Sequence, residues 1–175
     1  MRVRPEEPSD HAAIHKVVAD AFKSEVEARL VELIRASPQY RPELSLVADL
    51  GGAVAGHVMI SHCEIVDGDV RQHACTLSPL AVAPEHQGVG VGSALVRAVV
   101  GRADDLGVPF VVLEGDPRYY SRFGFEHCVP HGITINLPSW APAEAAQVIR
   151  LRTYDAAVCG TIVYPSAFDE CLETH

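Results

Sequence analysis

The segment Gln87-Gly88-Val89-Gly90-Val91-Gly92-Ser93 alternates glycines with small apolar residues. It lies between a strand-like run ending Leu80-Ala81-Val82 and a helical run through Leu95, Val96, Val99 and Val100. Glycines let a backbone turn tightly and bring its N–H groups against an anion, and a helix beginning near Gly92 would aim its positive dipole end at the same point. Pyrophosphate is the natural occupant, although a glycine-rich helix start that binds nothing would carry the same residues. A P-loop requires Gly-Lys-Ser/Thr, and no lysine stands between Gly92 and Ser93. A dinucleotide fingerprint fits better: Gly88 and Gly90 match, Ser93 replaces the third glycine, and Glu114 follows about 20 residues on. Against it, Pro84 to Gln87 separate the strand from the first glycine, and only one βαβ unit is evident. The third pattern, Gln/Arg-x-x-Gly-x-Gly/Ala, is matched by Gln87 to Gly92.

Acid–base candidates are more numerous and less specific. Glu114 closes the apolar run Phe110-Val111-Val112-Leu113, and ligand sites of α/β proteins gather at such strand ends; a solvated carboxylate would read the same. His62 and Glu64 are same-face neighbours on a strand, and neither they nor His73 and Ser78 stand out. Arg118 and Arg122 are suited either to phosphate oxygens or to surface ion pairs. Five cysteines (Cys63, Cys75, Cys128, Cys159, Cys171) without C-x-x-C spacing fit reduced, mostly buried thiols, and nothing near Cys75 or Cys128 would activate a nucleophile. No metal is expected, because the nine histidines form no H-E-x-x-H.

These residues need a scaffold, and 175 residues suffice for one domain, expected to span 1–175. Hydrophobic residues at 48%, charged residues at 21% and mean hydropathy of +0.11 exclude disorder and low complexity. The net charge of −9 argues against nucleic acid as a partner and leaves room for a cationic substrate. No apolar stretch is long enough for a membrane span and no signal peptide is evident, so a cytoplasmic location is expected.

The pattern predicts a strand at Arg2 to Arg4, then helices through Ile14–Phe22 and Val26–Ile34. A three-strand antiparallel meander follows, turning at Gly51-Gly52 and Asp67-Gly68-Asp69 and ending by Pro84. After the glycine loop come a helix ended by Gly107-Val108-Pro109, a buried strand at Phe110 to Leu113 parallel to its predecessor, and a short helix at Pro117 to Phe123. Further strands are expected at Ile133 to Leu137, Val148 to Leu151 and Cys159 to Tyr164. The fold class is α/β with a mixed sheet.

The run from Leu80 to Val96 resembles the acetyl-CoA-binding motif of the GCN5-related N-acetyltransferase (GNAT) superfamily. Tyr120-Ser121-Arg122-Phe123-Gly124-Phe125 is similar to that family's Tyr-x-x-x-Gly-Phe signature, in the expected order and spacing. Val163-Tyr164-Pro165-Ser166-Ala167-Phe168 resembles the ending of a subgroup of small bacterial acetyltransferases. The resemblance implies a GNAT-like acyl-CoA N-acyltransferase fold and direct transfer of acetyl from acetyl-CoA to an amine, of a small molecule or a peptide, in a ternary complex. It implies that Leu80, Ala81 and Val82 flank pantetheine, with the backbone of Leu80 and Val82 free to pair with it. Gln87, Gly88, Val89, Gly90, Val91, Gly92 and Ser93 would hold the pyrophosphate, with Arg122 nearby. Tyr120 would be the general acid for the thiolate, and Tyr119, next to it on a helix, is expected to face elsewhere. Glu114 is the first candidate base. A homodimer is compatible with the family. A non-catalytic CoA-binding module and a dinucleotide binder remain the alternatives.

Overall fold

Gly51 and Gly52, at φ of 65° and 95°, reverse the chain between two strands, and the Asp49 carboxylate accepts the Gly52 N–H at 2.7 Å. Around this hairpin the computed structural model, which describes residues 1–172, builds nine strands and five α-helices. In chain order they are β1 (Arg2–Pro5), α1 (His11–Phe22), α2 (Val26–Arg35), β2 (Ser45–Leu50), β3 (Ala53–Asp67), β4 (Val70–Val82) and α3 (Val91–Asp105). There follow β5 (Phe110–Glu114), α4 (Pro117–Tyr120), β6 (Glu126–His127), β7 (Ile133–Thr134), β8 (Ala146–Arg150), β9 (Gly160–Val163) and α5 (Ala167–Glu170).

The sheet runs β1-β2-β3-β4-β5-β8-β6, with β9 on the far part of β3 and β7 on β9. β4 and β5 are parallel, joined through α3 as a βαβ unit requires. Period-two alternation sends Val58, Ile60, Leu77, Val111 and Leu113 to one face, where α3 covers them with Leu95, Val96 and Val99. Val47, Met59 and Ala81 on the opposite face meet α1 and α2, through Ile14, Val18, Val31 and Ile34. The C-terminal segments close the remainder of that second face over Cys63, Phe110 and Val112.

A buried carboxylate ties the amino-terminal segment to this frame. Glu6, its side chain 1% exposed, accepts from Arg35 Nε (2.8 Å), the Tyr40 hydroxyl (2.7 Å) and the Ser45 hydroxyl (2.8 Å), with His57 Nε2 at 3.1 Å. Burial alone would raise its pKa, but the bonds to His57, Arg35 and Tyr40 overcome that and hold the carboxyl far below the usual range. Burial lowers the pKa of His57, against the opposing pull of the Glu6 carboxylate.

Two expected strands differ in extent. The strand foreseen at Ile133 to Leu137 is only Ile133–Thr134, because β9 offers it only Gly160 and Thr161 as partners; Ile135 is buried without ladder bonds. The strand foreseen at Val148 to Leu151 begins earlier, at Ala146, opposite Glu114. β6 and α5 are short elements, two and four residues, that periodicity does not resolve.

Candidate functional site

β4 keeps β3 as its neighbour to its end but loses β5 over its last third. Val58 of β3 faces Leu80 and Ile60 faces Leu77, so Ser78 and Pro79 stand opposite Met59 in a bulge. β4 and β5 pair only at Cys75–Val111 and Thr76–Val112, and beyond that point they part. The Ala83 N–H donates to the Ala55 carbonyl at 2.9 Å. Antiparallel alternation then turns the backbone groups of Ala81 toward β3 and those of Leu80 and Val82 toward the gap. The Gln87 side-chain amide donates to the Val82 carbonyl at 3.0 Å, tying the loop to the strand it follows.

Gly88 and Gly90 adopt φ of 75° and 96°, which a side chain would strain, and Gly90 caps α3. The first intrahelical bond runs from Ala94 N–H to the Gly90 carbonyl, leaving the N–H groups of Val91, Gly92 and Ser93 without helical acceptors. A Cβ on Gly92 would lie 2.6 Å from the Tyr119 hydroxyl, so glycine there lets α4 approach the start of α3. The result is a cleft of about 560 Å³ lined by Leu80, Ala81 and Val82, by Gln87, Gly88, Gly90, Gly92 and Ser93, and by Phe22, Tyr119 and Arg122. An anion in it would meet three free N–H groups and the positive end of a 15-residue helix.

Most of the expected cofactor residues therefore share one cleft. Val89 and Val91 are not among the lining residues: Val89 is 76% exposed, and Val91, the first residue of α3, is packed in the core. Tyr119, expected to face elsewhere, lines the cleft with the Arg122 guanidinium 4.2 Å above its ring. A four-residue helix followed by a 3-10 turn does not keep the 100° step on which that expectation rested. Tyr120 lies beside it, the ring centroids 4.9 Å apart, and packs on Phe125 and Gly115. Burial, with Tyr119 adjacent, pushes the Tyr120 phenol up to about 12, which keeps its proton in place at neutral pH.

Glu114 points to the other face of the sheet, since Val111 and Leu113 pack under α3 and alternation reverses the next residue. The Tyr164 hydroxyl donates to its Oε1 at 3.1 Å, and Tyr164 is itself stacked on Phe168, with centroids 4.8 Å apart. Burial raises the pKa of Glu114, and the bond from Tyr164 partly opposes this. Glu114 is not in the glycine cleft; it opens onto a second cavity of about 480 Å³. Tyr164, which the sequence reading placed only in a family-like ending, is the functional neighbour it missed.

The other candidates are elsewhere. His62 contacts Arg41 at 3.1 Å and Glu64 pairs with Arg71, both on the hairpin arm beyond the Cys75–Val111 pairing, as is His73. Arg118 is held by Asp116 at 2.9 Å and is not in the cleft. Burial pushes Cys75 up to about 11 and Cys128 to about 12, so neither thiol is activated. Among the described residues, no group of three His, Cys, Asp or Glu could hold a metal, and no helix is long and apolar enough to cross a membrane.

A parallel strand pair parting in front of a glycine-lined helix start offers free N–H groups to an anion and a free strand edge to an extended arm. Residues 2–128 match the Acetyltransferase (GNAT) domain, and the chain belongs to that family of N-acetyltransferases, whose acetyl donor is acetyl-CoA. The N-acetyltransferase YhbS of Escherichia coli is 32% identical over 172 residues, 97% of this chain and 99% of that protein. YjhQ of the same organism is 36% identical over 120 residues, 69% of this chain and 66% of its own length. The crystal structure of Escherichia coli YhbS in complex with CoA superposes with a TM-score of 0.85, covering 96% of this chain and 91% of that one. A GNAT family acetyltransferase from Brucella melitensis in complex with acetyl-CoA, 29% identical, superposes with a TM-score of 0.76 over 96% of this chain and 97% of its own.

Proposed function

We propose that this chain binds acetyl-CoA in the glycine cleft and passes the acetyl group directly to an amine, donor and acceptor being bound together. The observation that carries the reading is the set of unpaired N–H groups at Val91, Gly92 and Ser93 beside the free edge of β4. Those groups and the Gln87–Ser93 loop hold the pyrophosphate, and the Arg122 side chain adds positive charge at the same wall. The backbone of Leu80 and Val82 pairs with the pantetheine arm as an added strand would.

Acetyl-CoA supplies a thioester whose carbonyl carbon accepts the amine nitrogen and whose sulfur then leaves. An alkylamine of ordinary pKa is less than about a thousandth neutral at pH 7, so a base raises the reactive fraction. Glu114, with its raised pKa and its orientation fixed by Tyr164, takes the amine proton. Tyr120, still a phenol at neutral pH, returns a proton to the departing thiolate. The balance is one N–C bond formed and one C–S bond broken, with a proton lost from nitrogen and one gained by sulfur. Glu114 then releases its proton to solvent and Tyr120 regains one from it, and an acceptor that arrives as ammonium sheds one further proton to solvent. The buried, unactivated thiols of Cys75 and Cys128 support direct transfer over an acetyl-cysteine intermediate.

A thermal-shift titration with acetyl-CoA, CoA, NAD and ATP tests the cleft, since a ligand at a hundred times its Kd stabilises by about 2.7 kcal/mol. Shifts with acetyl-CoA and CoA alone are expected. A shift with NAD instead would reassign the cleft to a dinucleotide, with Glu114 on a ribose.

A further inference from the structure

The cavity that opens at Glu114 differs in kind from the glycine cleft. Its walls are Leu137, Pro138, Trp140 and Pro142, and the two charged neighbours, Asp116 and Arg118, are bound to each other. Glu114 is thus its one carboxylate without a cationic partner among the described residues, held only by the neutral Tyr164 hydroxyl. Trp140 is 83% exposed on a segment framed by Pro138 and Pro142, whose fixed φ angles stiffen the loop. A large indole left in water beside a cavity is the kind of exposed apolar surface that marks a binding site.

Register connects this cavity to the cleft. The last rung joining β4 to β5 is Thr76–Val112, and Glu114 lies two residues beyond it on β5, across the gap that Leu80 and Val82 face from β4. At about 3.3 Å per residue, Glu114 is only about 7 Å of strand past the rung at which the gap opens. A carboxylate, apolar walls and an exposed aromatic face in one cavity complement an ammonium group carried on a flat apolar body.

We infer that this cavity is the acceptor site and that its substrates are primary amines on a flat apolar body, the amine against Glu114 and the body against Trp140. The inference rests on the acetyl-transfer reading and narrows it. In the transfer, the bound ammonium first gives a proton to Glu114, and the neutral nitrogen then bonds the acetyl carbon and releases its second proton to solvent. The C–S bond breaks with the thiolate protonated by Tyr120.

Trp140 is the chain's single tryptophan, so its emission reports the cavity directly. The protein saturated with CoA is titrated with phenethylamine, ethylamine and 2-phenylethanol while that emission is followed. Phenethylamine is expected to give a saturable change with affinity about tenfold or more above either control, and Glu114→Gln to remove most of that margin. In turnover with acetyl-CoA, phenethylamine should exceed ethylamine in kcat/KM by about tenfold, and Trp140→Ala should abolish the preference without altering acetyl-CoA affinity. Equal kcat/KM for the two amines, or a preference that survives Trp140→Ala, overturns the acceptor assignment while leaving acetyl transfer intact. No transfer to any amine by a protein that binds acetyl-CoA overturns the transfer reading, and the assignment with it.

Discussion

The two cavities on either side of the β4–β5 gap are made of different material. The glycine cleft is backbone: N–H groups at the start of α3, strand edges at Leu80 and Val82, and glycines that keep side chains out of the way. The Glu114 cavity is side chain: a carboxylate from β5, held from behind by a phenol from the segment after β9, and an indole from a loop between β7 and β8. A backbone site suits a ligand portion that does not vary, because its geometry survives changes in most side chains. A side-chain site tunes selectivity, since one substitution alters its shape or charge.

The largest expected effect breaks the frame that both cavities share. Glu6→Ala leaves Arg35 and His57 facing a buried void and should cost about 3–5 kcal/mol in urea unfolding. The same carboxylate sets an acid limit. Because its pKa is lowered on folding, its contribution is complete above about pH 4.5 and is lost as pH falls below that value. Glu6→Gln should therefore flatten the decline in stability on the acid side, as read by urea midpoints across pH.

Next comes a break confined to the backbone cavity. Gly90→Asp forces a side chain onto φ of 96° and sets a negative charge where pyrophosphate should lie. Like-charge contact of this kind costs several kcal/mol, about a thousandfold in acetyl-CoA affinity by calorimetry. Unchanged affinity in a folded variant would refute the site.

Tyr120→Phe separates chemistry from binding. Turnover should fall by about a hundredfold, with acetyl-CoA affinity changed less than about threefold. Equal loss of both would make Tyr120 a packing residue. The smallest effect sharpens the side-chain cavity: Tyr164→Phe removes a bond that lowers the Glu114 pKa, so the acid limb of the kcat/KM profile should move to higher pH. A limb that stays in place would detach Glu114 from the proton transfer.

The same division explains what could be read without a structure. The glycine loop and the elements around it are local in the chain: Gln87 to Ser93, the strand before and the helix after lie within about one βαβ unit, so spacing and periodicity suffice. Glu114 was visible as a strand end, but its partner Tyr164 is fifty residues away in sequence, and no local pattern links them. Trp140 lies in a segment without periodicity, between elements of two and five residues. The exchange of Tyr119 for Tyr120 at the cleft wall came from treating α4 as an extended regular helix. The Glu6 network, joining β1, α2, β2 and β3, is equally non-local.

The thiols have a practical consequence. Four of the five are buried and only Cys159 is exposed, beside Asp67 at the turn that ends the β3–β4 arm. That arm extends away from the gap, on the other side of the Cys75–Val111 pairing. The chain thus carries a natural single attachment point, through which it can be tethered to a surface or a dye with both cavities left open to solution.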